Sequence, residues 1–382
     1  MLIRKFLSAA KNNYVNKRGF HTQKKIVVIE SDDWGSIRMP SENTYNKLIS
    51  LGDPVDRDAF LSNDSLESYA DVSNLYSVLS EFRGADGNSP CITANFAVAN
   101  PDFDAIDINK NIYSFEPFTS TYERYYGSEN GLIELFKKGH DMHLFVPQLH
   151  AREHMNVARW MRDLRRGKKD TVLAYENKTI GTGLSFSREN AFGYMDALNY
   201  DSLNERKQLE KYLTDAADIF NETFGYSSRT FVASCFIWTG SIEKYLSKIG
   251  IELIQTQFRQ QVCPFRGTSV ILKPYHYTGQ MNSLGQIYSL RNCEYEPAYD
   301  HNVDLRVDRC LCQIRQSFEN SKPAVINSHR FNYISRINKT NASSSLNGLR
   351  ELLRQIIKEY PDVVFMSSAE LLDEIKQNDD RF

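Results

Sequence analysis

The sequence predicts an α/β protein in which helices connect the strands of a parallel sheet. Short runs of β-branched, apolar residues alternate with longer segments whose apolar residues recur every three or four positions, and repeated strand–helix units are typical of parallel sheets. The 382 residues suffice for one large α/β barrel with insertions or for two or three ordinary domains. Because no proline- and serine-rich linker divides the chain, we favour one elaborated domain, whose sheet is either closed into a barrel or open.

The composition is that of an ordinary globular protein. Hydrophobic residues make up 41% and charged residues 25% of the chain, which excludes disordered and fibrous architectures. A net charge of -2 gives no electrostatic basis for binding nucleic acid. Aromatic residues, at 12%, suit sugar-facing surfaces as well as cores. Because we find no membrane span, no secretion signal and only six cysteines, we expect a cytoplasmic protein with reduced thiols.

The elements follow in order along the chain. The first strand, at residues 26–29, is an unbroken β-branched run that leads into an acidic loop, as a buried parallel strand does. Asp64 and Ser65 then cap a helix whose apolar residues recur as far as Phe82. The alternation continues with strands at 91–99, 144–146, 230–234, 251–255, 324–327 and 363–366, and with helices at 132–138, 203–224, 242–249, 346–360 and 369–377.

Two long stretches interrupt this alternation. Residues 155–200 are rich in arginine, lysine, glycine and asparagine, and residues 263–300 contain five tyrosines. Both stretches are predicted as loop insertions. Because loops of this length in a compact fold usually serve as lids or binding loops, we expect substrate contacts there.

Two adjacent carboxylates follow the first strand. Asp32 and Asp33 stand at its predicted carboxyl end, where parallel α/β folds place their catalytic groups. Adjacent carboxylates repel one another, so such pairs usually divide their roles, one held by a cation and the other free to accept protons. The alternative is a helix N-cap or an Asx turn before Gly35.

Two histidines stand four residues apart, at His150 and His154. This spacing brings both imidazoles to one face of a helix, and they can also converge from a tight loop. Two histidines and one carboxylate are a standard ligand set for catalytic zinc, and Asp33 is the carboxylate we select. The alternative is a pair of solvated histidines on a surface helix.

A third histidine, His329, follows the apolar run at residues 324–326. In a parallel sheet it lies on the same rim as the two aspartates. Since a histidine has a pKa near 6.5, it can donate a proton to a leaving group close to neutral pH. The alternative is a histidine that satisfies a turn. The chain lacks the glycine-rich phosphate loops and the Gly-x-Ser-x-Gly elbow of other reaction classes.

The order of these motifs resembles the polysaccharide deacetylase family, which is carbohydrate esterase family 4 and NodB-homology-like. The likeness covers the run Ser31-Asp32-Asp33-Trp34-Gly35, the second strand at 92–96, the segment Gly139-His140-Asp141, the histidine pair and His329. It implies a distorted (β/α)7-type barrel over residues 24–378, after an N-terminal extension at 1–23 and with the two long loop insertions. It also implies a divalent metal, usually zinc, with cobalt, manganese or nickel as alternatives.

By position, the resemblance assigns roles to five residues. Asp33, His150 and His154 would bind the metal, Asp32 would be the catalytic base and His329 the catalytic acid. The chain departs from the family twice, because residues 233–238 lack the arginine of the third motif and residues 254–257 lack the aspartate that orients the acid. We expect Arg291 or Arg152 to replace the arginine and Asp300 or another carboxylate to replace the aspartate. As substrate contacts we predict Trp34, Arg152, Trp238, Arg291 and Tyr295.

The predicted function is hydrolysis of an N- or O-linked acetyl group on a polysaccharide, an oligosaccharide or a sugar precursor. One alternative is hydrolysis of another non-peptide C–N bond in a small molecule. The other is a catalytically inactive carbohydrate-binding protein. The sequence predicts no nucleic-acid partner and leaves the oligomeric state open.

Overall fold

The structure is a computed structural model that describes residues 17–185, 193–262, 271–300 and 302–378. Residues 1–16 of the predicted N-terminal extension and residues 263–270 of the second predicted insertion lie outside the described residues. The strands are β1 (Lys25–Trp34), β2 (Ile92–Ala97), β3 (Ala99–Pro101), β4 (Phe115–Pro117), β5 (Phe145–Ala151), β6 (Thr230–Val232), β7 (Leu253–Thr256), β8 (Arg259–Val262), β9 (Ile271–Tyr275), β10 (Gln280–Met281), β11 (Ile287–Leu290), β12 (Cys293–Glu294), β13 (Ala324–His329) and β14 (Val363–Met366).

Helices alternate with these strands. They are α1 (Glu42–Ser50), α2 (Ala59–Asn63), α3 (Tyr69–Leu79), α4 (Phe118–Tyr126), α5 (Leu132–Asp141), α6 (Val157–Arg165), α7 (Lys169–Glu176), α8 (Leu203–Phe224), α9 (Gly240–Lys248), α10 (Val303–Glu319), α11 (Asn341–Glu359) and α12 (Ser368–Gln377). No helix within the described ranges is both long and apolar enough to cross a membrane.

The main sheet has ten strands in the order β10-β11-β7-β6-β5-β2-β1-β13-β12, with β14 as a further neighbour of β1. Every pairing in it is parallel except that of β10 with β11. The sheet curls into a half-barrel, and within the described residues its two end strands are not paired with each other. The predicted distorted α/β barrel is therefore confirmed, and the sheet is open.

Strand β1 lies at the centre of the fold because it has three partners. It pairs with β13 along residues 27–32, with β14 along residues 25–28 and with β2 from Ile29 onward. The register against β2 shifts between Ser31 and Trp34, and inside this irregularity Asp33 has a φ of 75°. The shift re-aims the side chains at the end of the strand, as β-bulges do next to active sites.

The sides of β1 face two hydrophobic clusters. Val27 and Ile29 pack into the large cluster between the sheet and its helices. Ile26 and Val28 point the other way and pack in a second cluster with Leu371 and other residues of α12. This helix therefore covers the apolar part of the barrel interior, and the polar end residues of β1 remain for a site.

The predicted insertions differ in structure. Within residues 155–200, α6 and α7 pack around Trp160 in a separate hydrophobic cluster. Residues 271–300 include β11 and β12, which are parallel strands of the main sheet. The second stretch therefore contributes to the barrel wall, and helix α10, which the sequence analysis does not predict, follows it directly.

Helix α3 begins later than predicted. Its N-cap is Ser68, whose hydroxyl accepts from the amide of Asp71, while the side chain of Asp71 accepts from the amide of Ser68 in return. Asp64 does not cap this helix because it forms a buried ion pair with Arg330, 2.7 Å away. A buried carboxylate such as Asp64 binds a guanidinium more strongly than it binds the backbone amides at the start of a helix.

Candidate metal site and its acid–base groups

Three side chains converge at the carboxyl ends of β1 and β5. Oδ1 of Asp33 lies 3.2 Å from Nε2 of His154 and 3.5 Å from Nε2 of His150. All three residues are buried, with 2–6% of their surface exposed. The β1 irregularity aims Asp33 at the histidines, and both histidines belong to β5 or the loop that follows it.

The backbone contact of His150 fixes the tautomer of its neutral ring. Nδ1 of His150 donates to the carbonyl of Val232 at 2.8 Å, because a carbonyl can only accept. In the neutral ring, Nε2 therefore carries the lone pair and directs it towards Asp33. Neither this Nε2 nor Oδ1 of Asp33 has a hydrogen-bond partner, although both atoms are buried.

A divalent cation fits this arrangement. Buried acceptors without donors are costly, and a metal ion satisfies several of them together. Donor atoms of a tetrahedral zinc site stand about 3.4 Å apart when each lies about 2.1 Å from the metal. The distances of 3.2 and 3.5 Å from Asp33 match this spacing without rearrangement.

The second oxygen of Asp33 is held by an arginine. Nη2 of Arg38 lies 3.1 Å from Oδ2 of Asp33, and Nε of Arg38 lies 3.4 Å from Oδ2 of Asp64. Arg330, which is fully buried, continues the chain of charges to Asp64. Burial alone would raise the pKa of Asp33, but His154 and Arg38 outweigh it and hold the pKa well below its usual value. Asp33 is thus a carboxylate, the form that binds metal.

Asp32 is bound by a different arginine. Nη1 and Nη2 of Arg291 contact Oδ2 and Oδ1 of Asp32 at 2.6 and 2.7 Å, and Nε of Arg291 lies 2.6 Å from Oε2 of Glu30. Asn95 donates to Oδ1 at 2.8 Å. Burial would raise the pKa of Asp32, but the charge of Arg291 holds it at about 2. The carboxylate therefore keeps its charge in the barrel interior and can accept a proton.

His329 stands next to Asp32 in the β1–β13 register. Its Nε2 lies 3.9 Å from Oδ2 of Asp32, and its Nδ1 donates to Oε1 of Glu296 at 2.6 Å. Burial lowers the pKa of His329, but Glu296 more than compensates and raises it to about 9. His329 is therefore an imidazolium at neutral pH, with a proton to donate on the side of Asp32.

Glu296 is the orienting carboxylate, which sequence reasoning missed. It is fully buried, and amide groups of Asn327 and Asn332 also donate to it, at 2.9 and 2.6 Å. Of the two predicted alternatives, Asp300 is wrong, because it forms an exposed ion pair with Arg306 of α10, and another carboxylate, Glu296, fills the role. Glu296 comes two residues after β12. If that short strand had been recognised in the sequence, Glu296 would have been placed at the carboxyl ends of the strands, beside the catalytic candidates.

The structure separates the two arginines that were predicted to replace the motif arginine. Arg291 comes directly after β11 and contacts Asp32. Arg152 instead contacts Glu153 and Asp215, and its guanidinium lies between the rings of Phe115 and Tyr212. Arg291 thus occupies the position beside the proposed base, and both arginines use their charge on buried carboxylates.

Three aromatic residues predicted to contact substrate lie in the core. Trp34, Trp238 and Tyr295 are each at most 1% exposed. Their polar atoms are satisfied inside the protein, since Trp34 donates to Ser31, Trp238 to Glu243 and Tyr295 to the carbonyl of Ser345. No face of these rings is available for stacking on a sugar, so this prediction is corrected.

A different pair of aromatic rings borders the site. Phe60 lies edge-on to His329 with ring centroids 5.2 Å apart, and Tyr299 lies edge-on to Phe60 at 5.8 Å. Tyr299 is 40% exposed. Neither residue belongs to a motif, and only the spatial neighbourhood of His329 identifies them.

No family model and no curated protein sequence matches this chain. Several solved structures do. An allantoinase named Puue aligns over 95% of both chains with 9% identity and a TM-score of 0.48. A protein assigned as a polysaccharide deacetylase from Pseudomonas aeruginosa PAO1 covers 94% of this chain and 93% of its own at 10% identity and a TM-score of 0.47.

A third structure, assigned as a polysaccharide deacetylase from Mycobacterium smegmatis, covers 94% of this chain and 93% of its own at 11% identity and a TM-score of 0.44. Two of these three similar structures thus carry the name of the family that the sequence motifs resemble.

Proposed function

We propose that this protein is a metal-dependent hydrolase that removes acetyl groups from a carbohydrate. One observation carries the proposal: the converging metal-ligand atoms of Asp33, His150 and His154 stand beside a charged carboxylate, Asp32, and a charged imidazole, His329. This combination provides a metal site, a base and an acid within one buried cluster. Such a set suits hydrolysis of an amide or ester.

The metal would be held by Asp33, His150 and His154, and we propose zinc because nitrogen and oxygen donors in this number suit it. When bound, the ion supplies a Lewis acid that polarises a carbonyl and lowers the pKa of water. His150 is pre-oriented for this role by its bond to the Val232 carbonyl, which fixes the tautomer.

Asp32 is the proposed base. As the water oxygen bonds to the acetyl carbonyl carbon, one proton of the water passes to the Asp32 carboxylate. Arg291 holds that carboxylate by two parallel hydrogen bonds, so its oxygens cannot rotate away. Arg291 is therefore a positioning residue that touches no reacting atom, whereas Asp32 accepts the proton from the water.

His329 is the proposed acid. As the bond between the carbonyl carbon and the sugar nitrogen or oxygen breaks, Nε2 of His329 delivers its proton to the leaving atom. Glu296 keeps Nδ1 as a donor, so the proton that is released comes from Nε2. The products are acetate and the free amine or hydroxyl of the sugar.

The sugar ring is proposed to lie against Tyr299 and Phe60. Phe60 contacts His329, Tyr299 contacts Phe60, and Tyr299 retains a large exposed fraction. Aromatic faces are a common binding surface for the apolar side of sugars. We therefore assign to Tyr299 and Phe60 the sugar contact that the sequence analysis assigns to Trp34, Trp238 and Tyr295.

The test is acetate release. Protein stripped of metal by a chelator should be inactive on a panel of N- and O-acetylated saccharides and regain activity with zinc, cobalt or manganese. Small linear and cyclic amides, assayed in parallel, separate deacetylation from other C–N hydrolysis. Activity confined to those amides, or sugar binding with no acetate release under any metal, would contradict the proposal.

Variants assign the roles. Asp33→Ala and His150→Ala should each contain one zinc equivalent fewer than the unsubstituted protein in elemental analysis, whereas His140→Ala, at an exposed position, should keep the full zinc content. Asp32→Asn should bind zinc and lose activity by about 100-fold or more. Full turnover by Asp32→Asn would remove Asp32 as the base, and a zinc content equal to that of the unsubstituted protein in both ligand variants would remove the metal assignment.

A further inference from the structure

A second group of metal-ligating side chains lies at the opposite end of the sheet from Asp33. Cys91 directly precedes β2, and His143 stands two residues before β5. Glu370 belongs to the first turn of α12, the helix after β14. His143 precedes the start of β5, and His150 stands near its carboxyl end. The length of this strand therefore separates the second group from the proposed catalytic residues.

The three side chains converge. One donor atom from each of Cys91, His143 and Glu370 lies within 4.8 Å of the others. Nε2 of His143 is 2.9 and 2.8 Å from the two oxygens of Glu370. Cys91 is buried, with 1% of its surface exposed, and its thiol forms no disulfide. Thiolate, imidazole and carboxylate are together a ligand set for zinc-like ions.

A simple ion pair explains only part of this arrangement. Glu370 belongs to the capping box of α12, accepting from the amide and hydroxyl of Ser367, and its contact with His143 could be a surface pair at the helix start. That explanation leaves Nδ1 of His143 buried without a hydrogen-bond partner. It also gives no reason for a buried thiol beside a carboxylate.

A neighbouring cavity gives access to the group. Its volume is about 310 Å³, and its wall includes His143 and Glu370 together with Gln148, Arg229 and Asp373. A cavity of this size, with these charged side chains in its wall, admits a hydrated ion and leaves room for water as a fourth ligand.

We propose that Cys91, His143 and Glu370 bind a second divalent metal ion of the zinc class. The ion would tie the starts of β2 and β5 to α12, the helix that packs beneath β1, and would therefore act on stability. Donor atoms in such a site stand about 3.5 Å apart, so the widest separation, at most 4.8 Å, would close by about 1.3 Å and the contact between His143 and Glu370 would open by less than about 1 Å when the ion binds. Side-chain rotation suffices for this change.

Cobalt distinguishes the two sites by their ligands. Only a site with a cysteine thiolate gives a near-ultraviolet sulfur-to-cobalt charge-transfer band, and the Asp33 site has no sulfur. We therefore test the metal-free Asp33→Ala protein, in which the proposed catalytic site is disabled, with Co²⁺ alone. It should bind one equivalent and show the band, and His150→Ala as a second background should do the same.

The thiol is tested by a matched pair of substitutions. In the Asp33→Ala background, Cys91→Ser should abolish the band and the bound equivalent, whereas Cys312→Ser, at an exposed cysteine on α10, should keep both. The absence of the band in both backgrounds, or its loss only with Cys312→Ser, overturns the proposal.

A third variant keeps the test decisive if Cys91→Ser does not fold. Glu370→Gln retains the capping geometry and loses the charge. Zn²⁺ should raise the melting temperature of the Asp33→Ala protein, and Glu370→Gln should weaken Zn²⁺ binding at least about tenfold and remove most of that rise. An unchanged response in Glu370→Gln counts against this carboxylate as a ligand and overturns the three-ligand site.

Discussion

Replacement of Arg291 by methionine removes the charge that balances two buried carboxylates. The guanidinium makes one contact to Glu30 and two to Asp32, all at 2.6–2.7 Å, and it is 2% exposed. Methionine fills most of the volume but donates no hydrogen bond. Removing one partner of a buried ion pair typically costs about 3–5 kcal/mol, because it leaves an uncompensated charge. We expect a loss of unfolding free energy of this size at pH 7.

The loss should depend on pH in a definite direction. In the native protein Arg291 holds the pKa of Asp32 at about 2, below its unfolded value, so this pairing stabilises the fold above about pH 4 and is lost as the pH falls through about 2. Without Arg291, burial raises the pKa of Asp32 above its unfolded value, and it raises further the pKa of Glu30, which burial already holds above its usual value in the native protein. Such groups stabilise the fold below about pH 4, and that stabilisation is lost as the pH rises. The deficit of the variant should therefore be larger at pH 7 than near pH 4.5.

The assay is denaturant unfolding followed by tryptophan fluorescence at both pH values. Trp34, Trp160 and Trp238 are all buried and report on global unfolding. Arg309→Met is the matched control, since this arginine is half exposed and should change stability by less than about 0.5 kcal/mol. Equal deficits at the two pH values, or a deficit no larger than that of the control, would refute the reasoning. Acetate release at pH 7 should also fall by about 100-fold or more, because the Asp32 carboxylate loses the two hydrogen bonds that hold it in position.

Three further predictions follow from the site and its frame. Glu296→Gln should lower the pKa of His329 from about 9, so the loss of activity at high pH should begin at least about one pH unit lower, as read from a pH–rate profile; Glu294→Gln should leave the profile in place. Tyr299→Ala should raise KM for an acetylated sugar by about fivefold with little change in kcat, an effect that the exposed control Tyr69→Ala should not reproduce. Gly35→Ala should destabilise by about 2 kcal/mol or more in the same unfolding assay, because φ is 79° and the new Cβ would stand 2.6 Å from the carbonyl of Ala97, whereas Gly52→Ala, with φ of 82° and open space, should cost about half as much.

The groups predicted from local pattern lie together in the structure. Asp32 and Asp33 follow a strongly apolar strand, and His150 and His154 are close in sequence, so each pair carries its own local evidence. Parallel strands bring such rim positions together whatever the loops do. The α/β fold could be predicted for the same reason, since its strands and helices recur with regular periods.

The supporting residues could not be predicted in the same way. Arg291 and Glu296 follow β11 and β12, which have only four and two residues and lie in a stretch that otherwise looks like a loop. Their contacts with Asp32 and His329 depend on the curl of the sheet, which no periodicity encodes. The burial of Trp34 and Trp238 also could not be predicted from the sequence, because a tryptophan near the end of a strand can belong either to the core or to a binding surface.

The three partners of β1 bear on how the protein can be made. Val27 pairs with Ala324 on one side and with Phe365 on the other, so β1 needs neighbours that the ribosome makes about 300 residues later. The strand that carries Asp32 and Asp33 therefore lacks its partners β13 and β14 until they have been synthesised. Long-range parallel pairing of this kind is slow, and the open side of β1 is exposed to aggregation meanwhile. We expect β1 to be fully paired only after β14 has emerged, and a chain cut before β14 should leave residues 25–28 of the strand that bears both aspartates without that partner.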